Sequence, residues 1–142
     1  MIIQVLSQKE AIELAGRACP ATSIISITSR EAPDVSFPEN ADIVSVFPMK
    51  FNDLTREYDD EGIPYGRPLP QREDFAGLRA FVAGLTCDLL IVHCWEGRSR
   101  SAAVAAAIYE ARGKKDELRV KPGSLPNPLV YELARRELGL SV

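Results

Sequence analysis

The chain has 142 residues, which is the length of one domain with a hydrophobic core of its own. Hydrophobic residues make up 46% and charged residues 26%, values that disfavour extensive disorder and a membrane protein. The net charge of −3 also disfavours a surface built to hold nucleic acid. We therefore expect a single domain over residues 1–142 that has no nucleic-acid or membrane partner.

The first third of the chain predicts alternating strands and helices. An apolar strand is predicted over residues 2–6, and a helix from 8 to about 15, because Ser7 and Glu10 have the spacing of a capping box. β-Branched residues predict a second strand over 23–28 and a third over 42–47.

The rest of the chain continues this alternation. Three prolines and two glycines between residues 59 and 70 predict an irregular loop. Apolar residues at helical spacing predict amphipathic helices over about 75–85 and 129–138. Strands that alternate with helices favour an α/β fold, with a largely parallel sheet between helices and a site at a strand's carboxyl end.

One stretch in the second half of the chain combines three such signals. An apolar run from Leu89 ends at Cys94, a short polar loop with Gly97 follows, and an alanine-rich helix starts near Arg100. Because this helix is apolar on nearly every face, it is predicted in the interior, with its end at Gly113.

The chemistry of this stretch points to an oxyanion. The N–H groups of the loop converge where the positive end of the helix dipole lies, which favours a bound tetrahedral anion. The same position lowers the pKa of a cysteine, so Cys94 is placed as a nucleophile. Arg100 can hold two phosphate oxygens at once, and Gly97 is expected to let the backbone approach the ligand closely.

Residues 93–101 read HCWEGRSRS, and the pattern HCxxGxSRS resembles the signature of the cysteine-dependent protein tyrosine phosphatases, closest to their dual-specificity branch. The resemblance extends from about residue 42 to the end of the chain. It implies a phosphatase-like fold and hydrolysis of phosphotyrosine in proteins through a cysteinyl-phosphate, with phosphoserine and phosphothreonine as further candidates. No cofactor and no metal are implied.

The resemblance also assigns roles to residues. Cys94 would be the nucleophile, Ser101 would assist departure of the thiolate, and His93 would orient the loop. The phosphate-binding residues would be Trp95, Glu96, Gly97, Arg98, Ser99 and Arg100.

A general acid is required as well, because neither a phenol nor an alcohol leaves readily as its anion. Asp53 is the first choice, since it follows the third predicted strand and Phe51-Asn52-Asp53 looks like the acid loop of the family. Asp59 and Asp60 are the alternatives. The loop over 59–70 is expected to flank the site.

Further expectations concern the loop, the cysteines and the compartment. Tyr65 and Arg67 are candidate substrate contacts. Cys87 is interpreted as a buried cysteine, with a protective disulfide to Cys94 as the alternative. The chain has an odd number of cysteines, and they lack metal-ligand spacing. The first ten residues contain no basic leader and no cleavage site. Both observations predict a cytoplasmic protein.

Two other functions stay open at this stage. One is a phosphate-binding module without activity, which would follow if the acid were absent or misplaced. The other is a phosphatase for a lipid or for the 5′ phosphate of RNA. The loop contains no lysine and the chain is acidic, and both features disfavour this second alternative.

Overall fold

The structure is a computed structural model that describes residues 1–140. A five-stranded parallel sheet forms the centre of this part of the molecule. Within those residues the strands are β1 (Ile2–Ser7), β2 (Thr22–Thr28), β3 (Ile43–Lys50), β4 (Leu89–Cys94) and β5 (Glu117–Arg119). The helices over the same range are α1 (Gln8–Ala15), α2 (Leu78–Ala83), α3 (Arg100–Ala111) and α4 (Pro128–Glu137). The predicted α/β class is therefore confirmed.

The order of strands in the sheet is β3-β2-β4-β1-β5, so β4 lies between two neighbours. Every residue of β4 is buried, and so is every residue of β2. A parallel strand with helices over both faces needs a continuous apolar run, and the run from Leu89 supplies it. Ser7 pairs with Cys94, and Ser26 pairs with His93, so three strands end close to Cys94.

Helices cover both faces of this sheet. On one face, Ala11 and Ala15 of α1 form a buried cluster with Ile24. On the other face, α2, α3 and α4 share a larger cluster in which Val104 and Ile108 of α3 are fully buried. Burial of each of these two side chains contributes about 1.5–3 kcal/mol. The prediction that α3 lies in the interior is confirmed.

The junction of β1 and α1 is closed by the predicted capping box. The Glu10 N–H donates to Ser7 Oγ at 3.1 Å, and the Ser7 N–H donates to Glu10 Oε1 at 2.9 Å. The same Oε1 accepts a hydrogen bond from Lys121 Nζ. The first helix is thereby tied to the segment that precedes α4.

The helix predicted over 75–85 is wrong in its extent. Arg72–Phe75 forms a 3₁₀ turn, and α2 covers only Leu78–Ala83. Gly77 lies between them with a φ of +87°, in the left-handed region that interrupts a right-handed helix. Phe75 and Leu78 are both fully buried, so the apolar spacing identified core residues while the glycine divided the element.

Other bounds differ in smaller ways. β3 continues to Lys50 through Pro48, which is tolerated because β3 is an edge strand. β5 has three residues and was not predicted. As predicted, α3 ends just before Gly113, whose φ is +79°.

Residues 59–70 form a loop, as predicted. Tyr58, just before the loop, forms an isolated antiparallel bridge with Pro64. Among the residues that the structure describes, the helices all lack the length and apolarity needed to cross a membrane.

Glu10→Gln tests the tie between α1 and the segment before α4. Hydrogen bonds from Lys121 and from the Ser7 N–H lower the pKa of Glu10 to about 2, so this stabilisation is present above about pH 4.5 and is lost as the pH falls towards 2. Because the side chain is partly exposed, we expect Glu10→Gln to lower the free energy of unfolding by about 1 kcal/mol at pH 7.

Urea denaturation of both proteins at several pH values measures this difference, which should shrink as the pH is lowered. Glu13→Gln, on the exposed side of the same helix, is the control and should have little effect. A Glu10→Gln difference that does not change with pH would contradict the account.

Candidate active site

The candidate site is the loop that joins β4 to α3. β4 ends at Cys94 and α3 begins at Arg100. Within residues 1–140, the N–H groups of Glu96, Arg98, Ser99 and Arg100 have no hydrogen-bond acceptor. These donors lie at the positive end of the α3 dipole, an arrangement that suits a bound oxyanion.

Hydrogen bonds from other segments hold three carbonyl groups of this loop. The Trp95 oxygen accepts from the Gln8 N–H at 3.3 Å, which joins the loop to α1. The Arg98 oxygen accepts from the Leu125 N–H at 2.9 Å. Further along, the N–H of Asn127 donates to the Ser99 oxygen at 3.2 Å. Three carbonyl groups of the loop are thus engaged by other segments, while four of its N–H groups have no acceptor among the described residues.

Gly97 allows the loop to pass against the end of β1. Its φ is +73°, and a Cβ at this position would lie 2.4 Å from the Leu6 carbonyl carbon and 2.6 Å from the Ser7 nitrogen. The expectation was that Gly97 brings the backbone close to the ligand. The structure shows a close approach to the backbone of Leu6 and Ser7, and the approach to a ligand stays a prediction.

Cys94 lies at the base of the loop and is 2% exposed. Its Sγ is 3.1 Å from Ser101 Oγ. Burial raises the pKa of the thiol, but hydrogen bonds from the Ser101 hydroxyl and from the N–H groups of Ser101 and Gly97, with the charge of Arg100, outweigh it. The pKa of Cys94 is therefore lower than that of an ordinary thiol, which favours the nucleophilic thiolate.

The Arg100 guanidinium is buried, with Nη1 hydrogen-bonded and Nε without an acceptor. Nη1 donates to Ser29 Oγ at 3.2 Å and to the Phe51 oxygen at 3.1 Å, which fixes it to the ends of β2 and β3. Nε is buried and has no partner among the described residues. Nε is thus a buried donor that lacks an acceptor, on the edge of the guanidinium that it shares with Nη2.

His93 connects β4 to β2 beneath the loop. Its Nε2 is 2.7 Å from Ser26 Oγ, and its Nδ1 is 3.4 Å from the Cys94 oxygen. Burial lowers the pKa of His93 to about 4, so the ring is neutral near pH 7. One ring nitrogen donates and the other accepts, which places His93 as a support for the backbone of Cys94.

Of the three candidate acids, Asp53 is the one in contact with the loop. Its Oδ1 accepts a hydrogen bond from Ser99 Oγ at 2.8 Å and another from Asn127 Nδ2 at 2.9 Å. Asp59 Oδ1 instead accepts N–H groups of its own turn, and Asp60 pairs with Arg56. The geometry brings Asp53 to the loop and gives the two alternatives local partners.

The outer residues of the loop border two clefts. Trp95 is 67% exposed and lines, with Arg100 and Pro33, a cleft of about 310 Å³. Asp53, Ser99 and Tyr65 line a second cleft of about 360 Å³.

The remaining predicted contacts divide between the site and the surface. Glu96 and Arg98 are exposed, and their side chains face solvent at the rim. The candidate contact Arg67 borders a different depression with Asn52. Of the two predicted contacts from the 59–70 loop, Tyr65 is therefore the one that lies beside the candidate acid.

A disulfide between Cys87 and Cys94 is excluded by distance. β4 is extended from Leu89 to Cys94, which places these two residues about 16 Å apart; Cys87 is only two residues before Leu89, so it cannot come within the roughly 7 Å between Cα atoms that a disulfide requires. Cys87 is buried, with its Sγ 3.8 Å from Met1 Sδ. The interpretation of Cys87 as a buried cysteine is the one that fits.

Sequence reasoning missed Ser26, Ser29 and Asn127 as parts of the site. Ser29 directly follows β2, and the carboxyl ends of neighbouring parallel strands meet at one edge of the sheet. Its position after a predicted strand could therefore have indicated a site residue. Asn127 precedes Pro128, a pairing that indicates a helix start. Nothing local indicates that Asn127 also reaches Asp53, 74 residues away.

No family model matches the chain, and no curated protein and no solved structure matches it either.

Gly97→Ala tests the close approach of the loop to β1. A Cβ at Gly97 would overlap backbone atoms, whereas a Cβ at Gly113, which has a similar φ of +79°, would meet nothing within 4 Å. We expect Gly113→Ala to cost about 1 kcal/mol for its backbone conformation and Gly97→Ala to cost at least about 2 kcal/mol more. Denaturant unfolding measures both values, and equal costs would contradict the packing argument.

Ser101→Ala tests the control of the thiol. Loss of the hydroxyl removes a hydrogen bond to Cys94 Sγ, so the pKa of Cys94 should rise and alkylation by iodoacetate should require a higher pH. The measurement is the alkylation rate against pH, with Cys94→Ser as the blank for the other two cysteines. A midpoint that is unchanged or lower in Ser101→Ala would rule out this role for the hydroxyl.

Proposed function

We propose that this chain is a cysteine-dependent hydrolase of phosphate monoesters, with phosphotyrosine in proteins as its leading substrate and phosphoserine and phosphothreonine as further candidates. The proposal includes a fold and loop of the protein tyrosine phosphatase type, close to the dual-specificity branch. The observation that carries it is a thiol of lowered pKa at the start of a loop whose N–H groups lack acceptors and which ends at a buried arginine with an unpartnered Nε.

Binding of the phosphate follows from the donors of the loop. N–H groups between Glu96 and Arg100 would hold the equatorial oxygens, and Arg100 Nε and Nη2 would hold two of them side by side. Because Nη1 is already fixed by Ser29 and Phe51, the guanidinium needs little reorganisation when the anion binds.

The first chemical step is attack by the Cys94 thiolate on phosphorus. The new S–P bond forms as the bond between phosphorus and the ester oxygen breaks, and Asp53 donates a proton to the departing oxygen. The products of this step are a cysteinyl-phosphate, the free alcohol or phenol, and an Asp53 carboxylate.

The second step releases inorganic phosphate. Asp53 takes a proton from a water molecule whose oxygen attacks phosphorus, and the S–P bond breaks. The departing thiolate accepts a hydrogen bond from Ser101 Oγ, which lies 3.1 Å from Cys94 Sγ. The nucleophile and the acid are then restored to their starting protonation states.

Two features favour phosphotyrosine as the leading substrate. Cys94 is 2% exposed, and a phosphotyrosine side chain extends farther to a recessed sulfur than phosphoserine does. Trp95, which is exposed at the rim, offers an aromatic surface to a phenol ring. The free cysteines Cys19, Cys87 and Cys94 fit a reducing compartment, and we place the activity in the cytoplasm.

Turnover of para-nitrophenyl phosphate and of a phosphotyrosine peptide tests the proposal. Cys94→Ser should abolish turnover, and Arg100→Lys should lower kcat/KM about 100-fold because lysine lacks the planar fork. Asp53→Asn should lower kcat about 100-fold or more, whereas Asp60→Asn, at an exposed carboxylate paired with Arg56, should leave it unchanged.

Full activity in Cys94→Ser would refute the cysteine mechanism. Tight binding of the phosphotyrosine peptide by the wild-type protein without turnover would instead support a phosphate-binding module. Turnover restricted to lipid or RNA 5′ phosphates would refute the protein substrate while keeping the hydrolase.

A further inference from the structure

Asn127 is almost fully buried, at 4% exposure, and it begins α4. Its Oδ1 accepts the N–H groups of Leu129 at 3.0 Å and Val130 at 3.1 Å. These bonds make it the N-cap of the helix, a role that Ser, Thr, Asp and Asn can all fill. Helix capping therefore does not by itself require an amide at position 127.

The other half of the Asn127 side chain faces the candidate acid. Nδ2 donates to Asp53 Oδ1 at 2.9 Å and to the Leu54 oxygen at 3.2 Å. In addition, the Asn127 N–H donates to the Ser99 oxygen at 3.2 Å. One buried residue thus joins α4, the acid and the phosphate-binding loop.

The two ends of the amide fix each other's orientation. Oδ1 faces two N–H donors, whereas Nδ2 faces a carboxylate oxygen and a carbonyl oxygen. A flipped amide would place donor against donor and acceptor against acceptor. The Nδ2 hydrogens of Asn127 are therefore directed at Asp53 and Leu54.

Asp53 is exposed, and its carboxylate is held by its contacts rather than by burial. Ser99 Oγ donates to the same Oδ1 at 2.8 Å. With two donors on Oδ1, the proton of the neutral acid belongs on Oδ2, because a proton on Oδ1 would face both donors.

We propose that Asn127 is the positioning residue for Asp53: together with Ser99 it holds Oδ1, so that Oδ2 carries the proton that is given to the leaving group. The inference rests on the proposed function. It assigns the amide of Asn127 a role in the rate of leaving-group departure that is separate from its role at the start of α4.

Asn127→Ser is the variant that separates these roles, because serine can cap α4 but has no Nδ2. We expect it to fold, as judged by circular dichroism and Tm, and to lower kcat/KM for phenyl phosphate by about 10-fold to 100-fold. The loss should be smaller for para-nitrophenyl phosphate, whose leaving group needs less protonation.

The decisive measurement is a double-mutant cycle with Asp53→Asn. If Asn127 acts through Asp53, Asn127→Ser causes no further loss of activity in the Asp53→Asn protein. An equal loss in both backgrounds, or an equal loss for the two phosphate esters, would overturn the proposal and assign Asn127 to folding alone.

Failure of the proposed function gives a different result. If the wild-type protein has no turnover, the catalytic role of Asn127 fails with it, and crystal structures of the wild type and Asn127→Ser decide the placement. The placement stands if the Asp53 carboxylate leaves Ser99 in the variant, and it is overturned if the distance of 2.8 Å is kept.

Discussion

The buried guanidinium of Arg100 is the constraint on which the site depends. A buried charge is costly unless its donors are engaged, and two oxygens at the ends of β2 and β3 engage only Nη1. On the opposite edge Nε is buried and has no partner among the described residues, and Arg100 directly follows the loop whose N–H groups lack acceptors. Unpaired donors in this number at the start of a helix suit a bound anion, as the proposed function requires.

The thiol beneath those donors follows the same electrostatics. Burial alone would keep Cys94 protonated, and the neighbouring donors reverse that effect. His93 is neutral near pH 7, so it supports the backbone of Cys94 without adding a charge. The sulfur and the guanidinium are brought together because β4 ends at Cys94 and α3 begins at Arg100, both in the centre of the fold.

The elements nearest the site could be predicted because their signals are local. The apolar run into Cys94, the apolar helix after Arg100 and the capping box at Ser7 each depend on neighbouring residues, and all three are present. Asp53 was the first choice as the acid because it follows a strand, and it is the candidate that contacts the loop. Its catalytic role stays a prediction.

The features that could not be predicted from the sequence depend on contacts between residues that are far apart in the chain. The partner of Gly97 is the backbone of Leu6, and the partner of Asp53 is Asn127, neither of which any local pattern indicates. Apolar spacing alone cannot distinguish one helix from two short helical segments, so it does not indicate the break at Gly77. The short β5 depends on pairing with β1 for its existence.

The most direct test of the central claim is a crystal structure of the wild-type protein with orthovanadate, an analogue of the phosphoryl group in transfer. The account predicts vanadium bonded to Cys94 Sγ, with its oxygens on the loop N–H groups and on Nε and Nη2 of Arg100. Vanadate bound elsewhere, or a loop in which Arg100 Nε remains without a partner, would contradict it.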